Sequence, residues 1–193
     1  MAHPNIAGTQ TYHNNGGMIL RGPGAEWQGE YPAADVRVYD EIGRAPRPGN
    51  YGWPHFVGDN KAYRDIDFES MAVRAPFDPA RPINDSPNNT GLVELPPAQK
   101  AFIWYPYGAS PDFPLVGSGS RTAMAGPVVH LDDFASAARP FPRWYDGKLL
   151  IYDWMRGWIM AVAMDAEGNF ASMERFMPSH KFSNPVDMEF GPN

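Results

Sequence analysis

Short apolar runs separated by turn residues dominate the hydrophobic pattern of this chain. The two clearest runs cover residues 148–154 and 158–165, and Met155-Arg156-Gly157 separates them. A strong turn signal, Asp165-Ala-Glu-Gly-Asn169, follows the second run directly. Apolar runs of this length joined by tight turns are typical of antiparallel strands. The pattern therefore predicts a β-meander in this part of the chain.

Further strands are predicted at both ends and in the middle of the chain. One strand is expected to end near His13, before a turn at Gly16-Gly17 and a second short apolar run. Another is expected over residues 101–107, and one more from 186 to 190. Between Tyr51 and Pro97 the turn dipeptides are so frequent that a long irregular segment is predicted.

One short helix is predicted near the N-terminus. Residues 34–43 place Val36, Tyr39 and Ile42 at spacings of three, and Gly43 is a natural helix stop. Together with the strand near His13, this helix predicts a small α/β segment ahead of the β-rich remainder.

Composition supports a mainly β fold and excludes several classes of function. Proline and glycine account for 21 and 19 residues, and aromatic residues for 13%, which favours short strands joined by turns. A net charge of −6 argues against a nucleic-acid partner. The chain has no cysteine, so disulfides and thiol nucleophiles are excluded. No stretch approaches the length of a membrane span, and the first residues do not resemble a signal peptide.

Residues 44–193 contain several motifs that resemble one family. Gly49-Asn-Tyr-Gly-Trp-Pro-His-Phe-Val-Gly58 and Tyr152-Asp-Trp-Met-Arg-Gly-Trp-Ile159 are similar to stretches of the glucose/sorbosone dehydrogenases, which are quinoprotein sugar dehydrogenases. Further similar stretches cover residues 85–91, 101–107, 117–127 and 182–192. This resemblance implies a six-bladed β-propeller that oxidises a sugar hydroxyl with pyrroloquinoline quinone (PQQ) and Ca²⁺.

The resemblance also implies that the chain holds only part of such an enzyme. At roughly 40 to 50 residues per blade, residues 44–193 supply about three blades. The implied partners are the remainder of the propeller, or other extracellular modules, besides the sugar. The family is secreted or periplasmic. We therefore expect a fragment that is inactive as an isolated chain.

No catalytic residue is assigned, because the segment that carries the histidine base of the family has no match here. Arg156 and Lys181 lie in regions where the family places cationic contacts to the quinone carboxylates, so the resemblance implies both as cofactor ligands. The alternative for each is a solvated or ion-paired cation.

Residues 2–43 resemble a different family, the zinc metallocarboxypeptidases. His13 matches the third zinc ligand of that family, at the end of a strand before an apolar run. The family's upstream His-x-x-Glu pair does not occur in this chain, so we expect neither bound zinc nor peptidase activity. An alternative interpretation is that His13-Asn-Asn-Gly-Gly is a degenerate form of the dehydrogenase motif that carries the histidine base.

Two domains are therefore predicted, residues 1–43 and 44–193. Because two unrelated families meet near Tyr39 to Pro48, the chain is also hypothesised to be chimeric or misassembled at that junction. Two other functions stay open. One is a zinc metallocarboxypeptidase fragment. The other is a non-catalytic carbohydrate-binding module whose aromatic loops contain Tyr51, Trp53, Trp104 and Tyr107.

Overall fold

The structure is a computed structural model whose described residues fall into two compact units, Met1–Gly108 and Ala109–Asn193. Backbone is described for residues 10–14, 17–21, 27–30, 39–67, 70 and 72–191, and side chains from residue 39 onward. In this part of the chain the fold is mainly β, with small antiparallel sheets, three short 3-10 turns and no closed barrel. The predicted mainly β class is confirmed.

Three strands near the N-terminus form one antiparallel sheet. They are β1 (Gln10–Asn14), β2 (Gly17–Arg21) and β3 (Trp27–Glu30), in that order across the sheet. His13 of β1 pairs with Met18 of β2. The predicted strand and second apolar run are thus confirmed as paired strands, and Gly16 of the predicted turn lies outside the described residues.

The predicted helix over residues 34–43 is wrong at its C-terminal half. Tyr39–Ile42 forms strand β4, which pairs antiparallel with β9 (Ile103–Pro106) and places Ile42 opposite Ile103. Both isoleucines are buried, so this long-range pairing outweighs a weak local helical spacing. Residues 31–38 lie outside the described part, and no α-helix occurs among the described residues near the N-terminus. The α component of the predicted α/β segment is therefore not found there.

Two small hairpins occupy the segment that was predicted to be irregular. They pair β5 (Phe56–Val57) with β6 (Lys61–Ala62), and β7 (Arg64–Ile66) with β8 (Val73–Pro76). Strands of two to four residues are too short to show a hydrophobic period. The strand predicted over 101–107 is confirmed as β9, and β4 pairs with it across the predicted domain boundary at residue 43.

The second unit is built around a four-stranded antiparallel sheet. Its strands follow chain order: β10 (Ala123–Val128), β11 (Leu149–Asp153), β12 (Trp158–Met164) and β13 (Phe170–Phe176). The predicted meander is confirmed. Short 3-10 turns lie at Pro114–Val116, Leu131–Phe134 and Arg143–Tyr145.

Both faces of this sheet are buried along its central strands. Leu150 and Ala161 pack on one face with Val129. Partly buried side chains complete that cluster: Leu131, Phe141, Tyr145, Met188 and Phe190. The predicted strand over 186–190 is wrong, because this segment covers the sheet with Met188 and Phe190 instead of pairing with it. Apolar residues on both faces explain why β11 and β12 appear as continuous apolar runs.

Among the described residues, no helix has the length and apolar character that crossing a membrane would require.

Candidate functional site

The stretch Tyr152–Ile159 folds into the end of β11, a tight turn and the start of β12. At the turn, the carboxylate of Asp153 is fully buried and accepts the backbone N–H of Arg156 at 2.7 Å. Its other oxygen accepts the backbone N–H of Thr122 at 3.1 Å. Asp153 therefore ties the β11–β12 turn to the segment that leads into β10.

Arg156 uses its guanidinium to hold the preceding small-residue loop. Its Nε and terminal nitrogens donate to four backbone carbonyls at 2.9 to 3.2 Å. The accepting residues are Val116, Gly117, Gly119 and Ser120. The structure thus joins two stretches that carry the family resemblance, 117–127 and 152–159.

Two further side chains bind carbonyls of the same loop. Trp158 Nε1 donates to the carbonyl of Val116 at 3.0 Å, and this bond is buried. Arg175 donates to the carbonyl of Leu115 at 2.8 Å and lies 5.8 Å from the Trp158 ring centre. Because its carbonyls face these donors, the loop is held rigidly over one end of the sheet.

Lys181 lies beside the turn that contains Arg156. Its side chain is exposed, and its aliphatic stem packs over Gly157, 3.4 Å from where a Cβ would stand. The backbone N–H of Phe182 donates to the Gly157 carbonyl at 3.0 Å. The two predicted cofactor ligands therefore belong to segments that meet at one turn.

The two cations fit a quinone ligand unequally. The guanidinium of Arg156 already donates to four carbonyls, so it does not fit as a free contact for quinone carboxylates. Lys181 is exposed and fits an anionic ligand as a single charge. Among residues 39–67, 70 and 72–191, no group of three His, Asp or Glu side chains could hold a metal ion. The roles of Arg156 and Lys181 in cofactor binding remain predictions.

The predicted zinc ligand His13 lies in β1, and its side chain is outside the described part of the chain. Its proposed role in metal binding also remains a prediction.

The aromatic residues of the carbohydrate-binding alternative differ in exposure. Trp53 and Tyr107 are 74% and 52% exposed, whereas Trp104 is buried and packs against Gly58. The hydroxyl of Tyr51 donates to the Arg47 carbonyl at 2.5 Å. Only Trp53 and Tyr107 of these four thus present a large aromatic surface to a ligand.

Sequence reasoning missed Asp153 as the central polar residue of this region. The signal was present, because an aspartate ends an apolar strand immediately before a tight turn, where side-chain oxygens commonly accept backbone N–H groups. Its second partner, Thr122, is 31 residues away and could not be foreseen.

Glu41 is an acidic residue of the first unit whose pKa is raised in the folded chain. Its carboxylate accepts the backbone N–H of Gly58. Burial of the carboxyl raises the pKa of Glu41, the charge of Asp40 raises it further, and the bond from Gly58 opposes both effects. Burial and the charge of Glu41 in turn raise the pKa of Tyr63. The ionised form of Glu41 is therefore disfavoured in the folded chain.

Replacing Glu41 by glutamine should make the stability of the chain less dependent on pH. A carboxyl whose pKa is higher in the folded state stabilises the fold most below its unfolded pKa, and this contribution is lost as the pH rises through the folded pKa. Glutamine keeps an acceptor for Gly58 and carries no charge. Urea denaturation between pH 4 and 8 should show that E41Q gains stability relative to the parent as the pH rises from about 4.5.

The control is the exposed Glu94, which lies in the same unit. Because its side chain is exposed, E94Q should change the stability by less than about 0.5 kcal/mol. Parallel curves for E41Q and the parent would contradict the raised pKa.

Comparison of the chain with models of known families, with curated proteins and with solved structures gave no match.

Proposed function

We propose that this chain contributes part of a quinoprotein sugar-dehydrogenase propeller and does not oxidise sugar by itself. The observation that carries the proposal is the meander of β10 to β13, with the motif Tyr152–Ile159 at its centre. A propeller blade is a four-stranded antiparallel sheet, and this sheet has that strand number and order. The remaining blades are the proposed partner, and the proposed substrate is a sugar that is oxidised at a hydroxyl.

The cofactor role is proposed for Lys181 and for Arg156 in different ways. Lys181 is exposed beside the turn and supplies positive charge to a quinone carboxylate. Arg156 holds the loop at 116–120 in place through its four carbonyl contacts. PQQ accepts two electrons when bound in an active enzyme, and Ca²⁺ polarises it. A site with one lysine should bind PQQ weakly. Weak cofactor binding agrees with the proposal that the chain does not oxidise sugar by itself.

Titration with PQQ and Ca²⁺ tests this proposal. Followed by absorbance and thermal stability, the parent should bind PQQ weakly, and Lys181→Ala should weaken binding several-fold because the only exposed charge assigned to the site is removed. Lys100→Ala, which removes an exposed lysine of the first unit, should leave binding unchanged. A dye-reduction assay with a panel of sugars should show no turnover.

Two results would overturn the proposal. Absence of any Ca²⁺-dependent PQQ binding would remove the cofactor assignment. Dye reduction that depends on sugar and PQQ would show that the chain is a complete catalyst.

A second candidate function is carbohydrate binding without chemistry in the first unit. It is favoured by the exposed rings of Trp53 and Tyr107. Sugar binding that persists without PQQ and Ca²⁺, and that Trp53→Ala removes, would support it over the dehydrogenase proposal.

A further inference from the structure

An exposed tryptophan of the second unit is held in one orientation by polar contacts. Trp144 lies in the 3-10 turn Arg143–Tyr145 and is 67% exposed. Its Nε1 donates to Oε1 of Glu174 on β13 at 2.5 Å. A large aromatic side chain left in solvent gains nothing from burial, so its fixed position calls for another explanation.

Lys148 contacts both Trp144 and Glu174, so that each of these three side chains contacts the other two. Its Nζ lies 3.9 Å from the Trp144 ring centre and 2.5 Å from the same Glu174 oxygen. The lysine side chain is only 15% exposed, so it covers one face of the indole from the protein side. The exposed surface of Trp144 therefore belongs to the opposite face and the edge of the ring.

The turn beneath the ring is anchored as well. Tyr145 packs against Phe141 and Phe176, with ring centres 5.3 and 5.4 Å apart. The indole is thus a preorganised surface, and a ligand that stacks on it loses little entropy in ordering the protein.

We propose that Trp144 is the stacking platform of a carbohydrate-binding site for a pyranose whose hydroxyls are equatorial. A pyranose with equatorial hydroxyls has a flat face of C–H groups and a polar rim. The N–H of Trp144 lies in the ring plane, so the Glu174 carboxylate stands at the rim of the open face. The contacts that hold the ring use Oε1 of Glu174, and Oε2 accepts a sugar hydroxyl.

The surroundings of Trp144 favour a sugar over other ligands. A stable protein interface buries roughly 800 Å² per partner around an apolar centre, whereas this single ring is bordered by the charges of Lys148 and Glu174. Nucleobases also stack on indole, but a chain of net charge −6 repels a phosphate backbone. The proposed site needs neither quinone nor Ca²⁺, so it stands or fails independently of the dehydrogenase proposal.

Affinity gel electrophoresis in hydroxyethyl cellulose, with calorimetric titration of cellohexaose, tests the site in the full chain without PQQ or Ca²⁺. The parent should be retarded by the polymer, and Trp144→Ala should lose affinity at least tenfold. Trp154→Ala is the matched control, because Trp154 is also an exposed tryptophan, at 36%, and lies in the same unit. It should bind as the parent does.

A second variant protects the test against misfolding. Glu174→Ala keeps the indole and frees it to rotate, and it should weaken binding several-fold with an unchanged circular-dichroism spectrum. The proposal is overturned if the parent is not retarded, or if Trp144→Ala binds as tightly as the parent. Loss of binding in Trp53→Ala alone would also overturn it and would move sugar recognition to the first unit.

Discussion

Replacing Asp153 by alanine should destabilise the second unit by about 3 kcal/mol, because a buried donor left without its acceptor costs roughly 1–3 kcal/mol. The carboxylate is fully buried and accepts backbone N–H groups from Arg156 and Thr122. Alanine leaves two part-buried donors without this acceptor. Urea denaturation followed by tryptophan fluorescence measures the loss as a lower transition midpoint.

Asparagine at position 153 separates hydrogen bonding from charge. It keeps one acceptor oxygen and turns an amide N–H₂ toward the other donor, so D153N should lose about half as much stability as D153A. The control is Asp133→Ala, which removes an exposed carboxylate from a 3-10 turn of the same unit and should change stability by less than about 0.5 kcal/mol. Equal midpoints for D153A and D133A would contradict the role given to Asp153.

Replacing Gly157 by alanine should cost about 2–5 kcal/mol and release the segment that carries Lys181. Gly157 has a φ of +61°, where a residue with a Cβ is strained by roughly 1–2 kcal/mol. A Cβ at this position would also overlap the backbone carbonyl of Phe182, which has little freedom to move. Crowding of this kind adds typically 1–3 kcal/mol. Denaturation gives the energy, and limited trypsin digestion after Lys181 reports release of the segment.

Gly147→Ala is the matched control for this substitution. Gly147 has a φ of +73°, but a Cβ there would meet no atom within 4 Å. G147A should therefore show the backbone strain alone and leave cleavage after Lys181 slow. If G157A and G147A lose equal stability and are cleaved equally, the contact between Gly157 and the 181–182 segment contributes nothing.

These two positions connect the stability of the second unit to its proposed role. Asp153 and Arg156 fix the loop at 116–120, and Gly157 fixes the position of Lys181. If Lys181 binds PQQ as proposed, replacing Asp153 or Gly157 should therefore weaken PQQ binding as well as lower the stability of the second unit. A variant that loses stability but binds PQQ normally would place the quinone elsewhere.

Much of the second unit could be predicted from the sequence alone. Residues 149–152 and Trp158–Met164 are all apolar or aromatic, and the residues between them break the pattern, so both strands and their turn follow from local signals. The segment around Met188 was misread because its apolar residues are spaced like those of a strand. In the structure, Met188 and Phe190 cover one face of the sheet, although the segment that carries them pairs with no strand. This arrangement depends on which part of the sheet face the other segments leave uncovered.

The candidate site was less predictable than the strands. Arg156 is recognisable as a conspicuous cation at a turn, but a sequence does not show that four loop carbonyls take up its donors. The set formed by Trp144, Lys148 and Glu174 joins a 3-10 turn to an edge strand 30 residues away. Nothing local marks Trp144 as exposed.

By itself, the sequence determined the mainly β class, the two central strands of the meander and the paired strands near the N-terminus, because turn residues and apolar runs act over a few neighbouring residues. Only the tertiary structure decided that Tyr39–Ile42 is a strand and that Asp153 is the buried acceptor. It also decided that Arg156 binds carbonyls rather than solvent. Each of these outcomes depends on partners distant in the chain, whose hydrogen bonds and burial outweigh weak local preferences.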